Sequence, residues 1–339
     1  MYVRIAHIND IVGVNMNKRY YITTRGELTR EKNTLYYLND NQKVAIPIEK
    51  VKDIFANEGV SMTHGVFKLA SEHSFRIFVF SYSGKYLGKF SPIEPSLSGK
   101  VTIEQADKFL SDARIEIAKS IVYSSMCSMI STCNRYLDSE CTELNIESEI
   151  QNADRISDLM GFEGQIRERY YERFDDILLD KYNFSRRAKN PPKDIINSLI
   201  SYVNALIYAS VSSEIYKTRL SPEISFLHAP SERRESLCLD IADIFKPLIG
   251  DRVVFELLNQ GILNESHFID DEIPRLTQDG KNIVHNQFED KMSRTQKHPR
   301  AGRNVSWQRW IELEAYALCN FIIGTESEYN SLDAREIRG

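Results

Sequence analysis

The chain has 339 residues, enough for about two domains with a real core. Hydrophobic residues make up 42% and charged residues 27%, ordinary for a soluble globular protein, and no run of ~18 apolar residues predicts a membrane span. The net charge of −5 argues against attraction to nucleic acid over the whole surface, but it leaves room for a local basic channel.

Residues 1–17 lack the basic-then-apolar pattern of a secretory signal. The strand pattern begins just after Met16, so 1–17 read as an N-terminal extension outside the fold. Residues 18–90 read as a β-rich domain. Arg19 to Thr23 is a strand, with Gly26 in the turn after it. Thr34 to Leu38 leads through the turn cluster Asn39-Asp40-Asn41 into Val44 to Ile48. Val51 to Ala56 is a further strand. Thr63 to His73 has helical spacing, with Val66, Leu69 and Ala70 on one face. Arg76 to Phe80 is an apolar strand, which Ser83-Gly84 turns into Tyr86 to Phe90. Residues 91–100, rich in proline, serine and glycine, are expected to be a linker.

Beyond it the period becomes helical, so 101–339 is expected to be a larger all-α domain and the fold class α+β. Gln105 to Tyr123 reads as one helix with Ala106, Phe109, Leu110, Ala113 and Ile117 on its apolar face. Pro191-Pro192 is expected to start another, with Ile195, Ile196 and Leu199 inward. The five cysteines are odd in number and form no CxxC pair, which predicts reduced thiols and a cytoplasmic location.

Charge is unevenly spread. Residues 138–158 carry Asp138, Glu140, Glu143, Glu147, Glu149, Asp154 and Asp158 against Arg155. Two tracts carry no acid: 181–193, with Lys181, Arg186, Arg187, Lys189 and Lys193, and 291–311, with Lys291, Arg294, Lys297, Arg300, Arg303 and Arg309. Each run taken alone is a solvated face. Two of them flanking a set of metal-type ligands point to phosphate contacts.

That set is Glu163, His228, Asp240 and Asp243. Asp240 and Asp243, three apart, share one face of a helix whose apolar neighbours predict burial. Buried carboxylates need a cation, either a metal or an arginine such as Arg233 or Arg234. His228, before Ala229-Pro230, reads as a structural histidine or a ligand. Glu163 lies between Gly161 and Gly164, which permit close approach of a helix or a ligand. Oxygen and imidazole donors suit a hard divalent ion, and open coordination positions suit phosphoryl transfer.

Several segments in this order resemble the CRISPR-associated adaptation integrases, the proteins numbered one in the Cas series. They are Gly161-Phe162-Glu163-Gly164 with Arg169 to Phe174, Arg187 to Tyr202, Phe226-Leu227-His228, and Ser236 to Pro247. Weaker matches lie at Thr34-Leu35 and Ser306 to Ala315. The resemblance runs from about Met16 to Ile323. It implies an N-terminal β domain, a helical catalytic domain and a homodimer. It also implies a DNA endonuclease and integrase that joins a 3′-hydroxyl of captured DNA to a repeat phosphodiester, acting on double-stranded and branched DNA with a small second adaptation protein as partner. By position, Glu163, His228 and Asp243 match the family's ligands for Mg2+ or Mn2+, and Asp240 matches a supporting catalytic acid. Lys181, Arg186, Arg187, Lys189, Arg294, Lys297, Arg300 and Arg303 are the candidate DNA contacts. The chain departs from the family pattern in Thr218 to Ser225, which lacks the glycines often found before the histidine, and in the charged loop Ser231 to Glu235. The competing class is a nonenzymatic DNA-binding scaffold with structural acids. A small-phosphoester hydrolase lacks a phosphate-cradling glycine loop. A tyrosine recombinase using Tyr170 or Tyr171 would leave the acids unexplained.

Overall fold

The computed structural model describes residues 18–93, 99–138, 141–179, 181–182, 184, 186–188, 191–229, 235–269, 272–335 and 337. The expected extension 1–17, residues 94–98 of the expected linker, Lys189, Arg233 and Arg234 lie outside the described residues. Contacts divide the chain into two compact units.

The first unit is strand-rich. Its elements are β1 (Lys18–Ile22), β2 (Gly26–Glu31), β3 (Thr34–Asn39), β4 (Gln42–Ile46), β5 (Val51–Asn57), β6 (Val60–Met62), α1 (His64–His73), β7 (Arg76–Phe80) and β8 (Tyr86–Phe90). One sheet runs β1-β5-β7-β8, with β1, β5 and β7 parallel and β8 antiparallel to β7. Strands buried on both faces need near-continuous apolar runs, which Ile54 to Ala56 and Ile77 to Phe80 supply, while the buried Asp53 is paired with Arg76. The other sheet runs β4-β3-β2-β6. Its β3–β4 turn is held by Asn39, whose Oδ1 accepts the N–H groups of Asn41 and Gln42 at 3.1 and 3.0 Å. Gly26 is required by space, since a Cβ there would meet the Leu38 carbonyl oxygen at 2.4 Å. Val66, Leu69 and Ala70 of α1 join this unit's core, as the helical spacing predicts.

The second unit is mostly helical. It contains α2 (Gly99–Leu110), α3 (Ala113–Tyr136), α4 (Glu147–Gln151), α5 (Ile156–Glu172), α6 (Phe174–Ile177), α7 (Ile195–Ile215), α8 (Ser236–Phe245) and α9 (Arg252–Asn259). Further along the chain come β9 (Phe268–Ile269), β10 (Arg275–Leu276), α10 (Gln278–Ser293), the hairpin β11 (Thr295–Lys297) and β12 (Asn304–Ser306), and α11 (Trp307–Ile322). The α+β class therefore holds. Residues 265–271 and 275–286, which the sequence division places in the helical domain, group with the strand-rich unit. There His285 stacks on Tyr21 with ring centroids 4.1 Å apart, and Lys281 donates to the Tyr82 carbonyl at 2.8 Å.

Two helix boundaries differ from expectation. The single helix from Gln105 to Tyr123 is two helices broken at Ser111 and Asp112. Val101 and Gln105 are the buried pair on α2, while Leu110 is 82% exposed. The apolar period misleads here because Gln105 turns inward to bond a loop. Helix α7 starts at Ile195 rather than at the prolines, because the Asp194 carboxylate caps it by accepting the Asn197 N–H at 2.7 Å. By length and composition α7 alone among the described residues could cross a membrane. It is instead a core helix, buried along most of its length.

Helix α3 carries Ser124, Ser125, Ser128, Ser131 and Thr132 on buried positions. Such small side chains let neighbours approach closely. Ser125 donates to the Asp243 carbonyl at 3.1 Å and Thr132 to the Pro247 carbonyl at 3.0 Å. Together these bonds seat α8 and the π-helical turn Lys246–Asp251 that follows it.

Candidate metal centre

Asp240 and Asp243 both point inward from α8, as their spacing predicts. Their surroundings differ. Asp240 is fully buried and accepts the N–H groups of Phe226, Leu227 and His228 at 2.7, 3.0 and 3.1 Å. It also accepts the His228 Nδ1–H at 2.7 Å. That bond fixes the imidazole so that Nε2 is free to accept or to ligate. Nε2 lies 3.9 Å from Asp243 Oδ2.

The loop carrying His228 lacks family-type glycines, and the structure shows what holds it instead. Gln105 of α2 donates to the carbonyls of Ser221 and Ile224 and accepts the Ser221 N–H. Arg114 donates to the Phe226 carbonyl at 3.1 Å, and Ser225 Oγ to the His228 carbonyl at 2.6 Å. Glu235, at the N-terminus of α8, sits in the left-handed region at φ 56°. A non-glycine residue held there is strained, and Ser212 and Tyr208 anchor it by donating to its carboxylate and carbonyl.

Glu163 comes from α5. Space around the flanking glycines is open: a Cβ on Gly161 or Gly164 would meet nothing within 4 Å, so the glycines do not serve close helix packing. The Glu163 carboxylate bonds Arg167, one turn on, and the same guanidinium lies 3.6 Å from Asp243 Oδ2. The other oxygen of Asp243 bonds Lys246. Among the described residues no group of three or more His, Cys, Asp or Glu side chains converges as a ready metal cage. Arg167 lies against both Glu163 and Asp243. Arg167 and Lys246 went unnoticed in the sequence, although helical spacings of four from Glu163 and three from Asp243 would have flagged them.

The electrostatics follow from these contacts. Burial opposes ionisation of Asp243, but Lys246, Arg167 and His228 outweigh it and hold its carboxyl well below the usual range. Burial likewise opposes protonation of His228, and the hydrogen bond and charge of Asp240, with Asp243, outweigh it and raise its pKa. Tyr170 and Tyr171 are buried, and burial raises both their pKa values. Tyr170 donates to Asp251 at 3.0 Å, a structural bond in the interior and no place for a nucleophile.

The candidate DNA contacts do not behave alike. Arg187 is spent on protein groups, donating to Ala188 and Asn197 and to Ser201 Oγ at 2.8 Å. Arg294 is paired with Asp290 at 2.6 Å and with Glu256 at 3.1 Å. Arg300 lies 3.7 Å from Glu314. Lys181, Arg186, Lys297 and Arg303 are exposed, the last two on the hairpin β11–β12 and its turn.

The donors present suit a divalent ion. Two ligand atoms each about 2.1 Å from one ion can stand up to roughly 4.2 Å apart. The 3.9 Å between His228 Nε2 and Asp243 Oδ2 falls within that limit. Glu163, held by the same guanidinium as Asp243, is the further oxygen donor beside this pair.

The family model described as CRISPR associated protein Cas1 matches residues 20–290. A Cas1 protein of Methanobrevibacter ruminantium is 38% identical over 315 residues, covering 92% of this chain and 97% of its own length. A protein named CRISPR-associated endonuclease Cas1 from Fusobacterium nucleatum is 35% identical over 332 residues, covering 95% of this chain and 98% of its own length. Among solved structures, a Cas1 protein from Thermotoga maritima matches with a TM-score of 0.85 and 32% identity, covering 93% of this chain and 100% of that one. A casposase bound to integration product shares the fold, with a TM-score of 0.83 and 20% identity, covering 94% of this chain and 93% of that one. With its strand-rich first unit, its helical second unit and its match along most of its length, the chain belongs to the Cas1 family of CRISPR-associated proteins.

Proposed function

We propose that this chain is a divalent-metal-dependent DNA endonuclease and strand-transfer integrase of CRISPR spacer acquisition. The observation that carries the reading is the seat of His228. Three backbone N–H groups and the ring Nδ1–H all go to Asp240, which leaves Nε2 facing Asp243. A buried carboxylate spent on aiming one imidazole nitrogen suits a metal ligand. The family supports the reading, since its relatives include proteins named endonucleases.

Glu163, His228 and Asp243 would hold Mg2+ or Mn2+. When bound, the ion neutralises charge on the phosphate and lowers the pKa of the attacking hydroxyl. His228 must be neutral at Nε2 to ligate, and Asp240 keeps the proton on Nδ1. Lys246, already against Asp243, offers its ammonium to a phosphate oxygen. A 3′-hydroxyl of captured DNA forms the new bond to phosphorus while the target strand's phosphodiester bond breaks. With water as nucleophile the same arrangement cleaves branched DNA. Lys181, Arg186, Lys297, Arg300 and Arg303 are the proposed phosphate contacts. We also propose a homodimer in the cytoplasm that works with a small Cas2-type partner. Solved complexes described as Cas6-RT-Cas1–Cas2 support that partnership by fold.

The ion pairs of Glu163 and Asp243 with Arg167 and Lys246 favour a second reading, a DNA-binding scaffold whose acids are structural. Alanine at Glu163, His228 or Asp243 separates the two. Under the enzyme reading each variant loses metal-dependent cleavage and joining while still binding DNA. The exposed His73 serves as the control. A Glu163→Ala protein with full activity would leave only the scaffold.

A further inference from the structure

Arg167 has no part in the reading above except as an obstacle, and its position explains why it is there. Its side chain is 12% exposed and touches both Glu163 and Asp243, which come from different helices. Its Nε donates a hydrogen bond to Glu163, while its Nη2 is buried without a hydrogen-bond acceptor of its own. Lys246 neutralises only Asp243. Two carboxylates against two cations make the pocket neutral before any ion enters. A divalent ion needs the same carboxylate oxygens and would leave a surplus of two positive charges. Each DNA phosphate brought against the pocket removes one unit of that surplus, and a guanidinium is the side chain suited to grip it.

Resting on the metal-centre reading, we infer that Arg167 is a positioning residue. It is an internal counter-ion that competes with the divalent ion for Glu163 and Asp243, and it yields when a phosphate of bound DNA takes its guanidinium. Metal and DNA binding are then linked, each tightening the other.

Mn2+ binding by the full chain, followed by the loss of the free-ion EPR signal with and without a branched DNA duplex, tests this. Arg167→Met keeps length and removes charge. It should bind Mn2+ about tenfold more tightly than the natural protein without DNA, and DNA should no longer improve its affinity. Arg167→Lys, which cannot span both carboxylates, should fall between the two and serves if the methionine variant does not fold. A simple structural role predicts weaker Mn2+ binding, so equal or weaker affinity in these variants overturns the inference. Asp243→Asn separates the two failures. If it binds Mn2+ normally, the metal centre itself is misassigned. If it loses Mn2+ while the Arg167 variants behave like the natural protein, only the counter-ion role falls.

Discussion

Two carboxylates one turn apart on α8 live in opposite surroundings. Asp240 is answered by fixed partners, three backbone N–H groups and a ring N–H, all donors that cannot leave without unfolding the loop. Asp243 is answered by the tips of Lys246 and Arg167, long side chains that can swing away. The same residue type thus serves as a permanent brace at one position of the helix face and as an exchangeable site one turn further along it. A buried acid with backbone partners builds geometry, and a buried acid with side-chain cations is poised to trade them for another cation.

The largest expected effects lie on the exchangeable side. Alanine at Glu163, His228 or Asp243 should lower metal-dependent cleavage and joining by on the order of a thousandfold, with the circular dichroism spectrum retained. If one of them kept near-normal turnover, that residue would leave the ligand set. On the braced side the loss should appear as stability. Asp240→Ala strands several buried donors and should cost roughly 3–5 kcal/mol in urea unfolding. A cost no larger than that of a surface substitution would erase the contrast between the two acids.

The pH dependence sharpens the same contrast. His228 has a pKa raised above its ordinary 6.5. Its ion pair with Asp240 therefore adds stability fully present below that value and lost as pH rises through the raised pKa. Metal needs the neutral ring, so Mn2+ affinity should climb over the window in which this stability falls. A flat Mn2+ affinity across it would exclude His228 as a ligand.

Exchangeable and fixed cations can be compared in the basic tracts too. Replacing Lys297, Arg300 and Arg303 together should reduce the salt dependence of DNA binding by a log–log slope of about 2–3. Arg187→Ala should instead lower stability with little change in that slope, because its guanidinium is bound to Asn197 and Ser201. The reverse pattern would make Arg187 the phosphate contact.

The smallest effect concerns Asp251, whose pKa burial pushes up to about 6, against the pull of Tyr170 and Arg167. An acid raised in the fold contributes stability that is lost as pH rises through that value. Asp251→Asn should remove this loss and stabilise the protein by about 1–2 kcal/mol near pH 7.5. An unchanged pH profile of thermal unfolding would contradict the assignment.

Much of this was legible in the chain. The alternating and apolar runs mark β1, β3, β5 and β7, and the three-residue spacing places both acids on one helix face. Periodicity failed where a polar side chain turned inward, as Gln105 does on α2, and where a cap rather than a proline sets a helix start, as Asp194 does for α7. It could not place residues 275–286 with the strand-rich unit, because contacts such as His285 on Tyr21 span more than 250 positions. That Glu163 and Asp243 lie against one guanidinium was not readable from spacing, and the motif resemblance alone put the two acids in one site. The cations that occupy the site sat one helical turn from residues already singled out.

The most direct test of the account is a Mn2+ titration of DNA strand transfer by Asp243→Asn and Asp240→Asn side by side. Asparagine keeps the shape of each side chain and removes its charge. The account predicts the larger upward shift in Mn2+ requirement at Asp243, where a neutral amide is a poor ligand for a hard cation. At Asp240 the shift should be smaller and come with lowered stability, since the damage acts through the aim of His228. A greater shift at Asp240 than at Asp243 would contradict the division between brace and ligand.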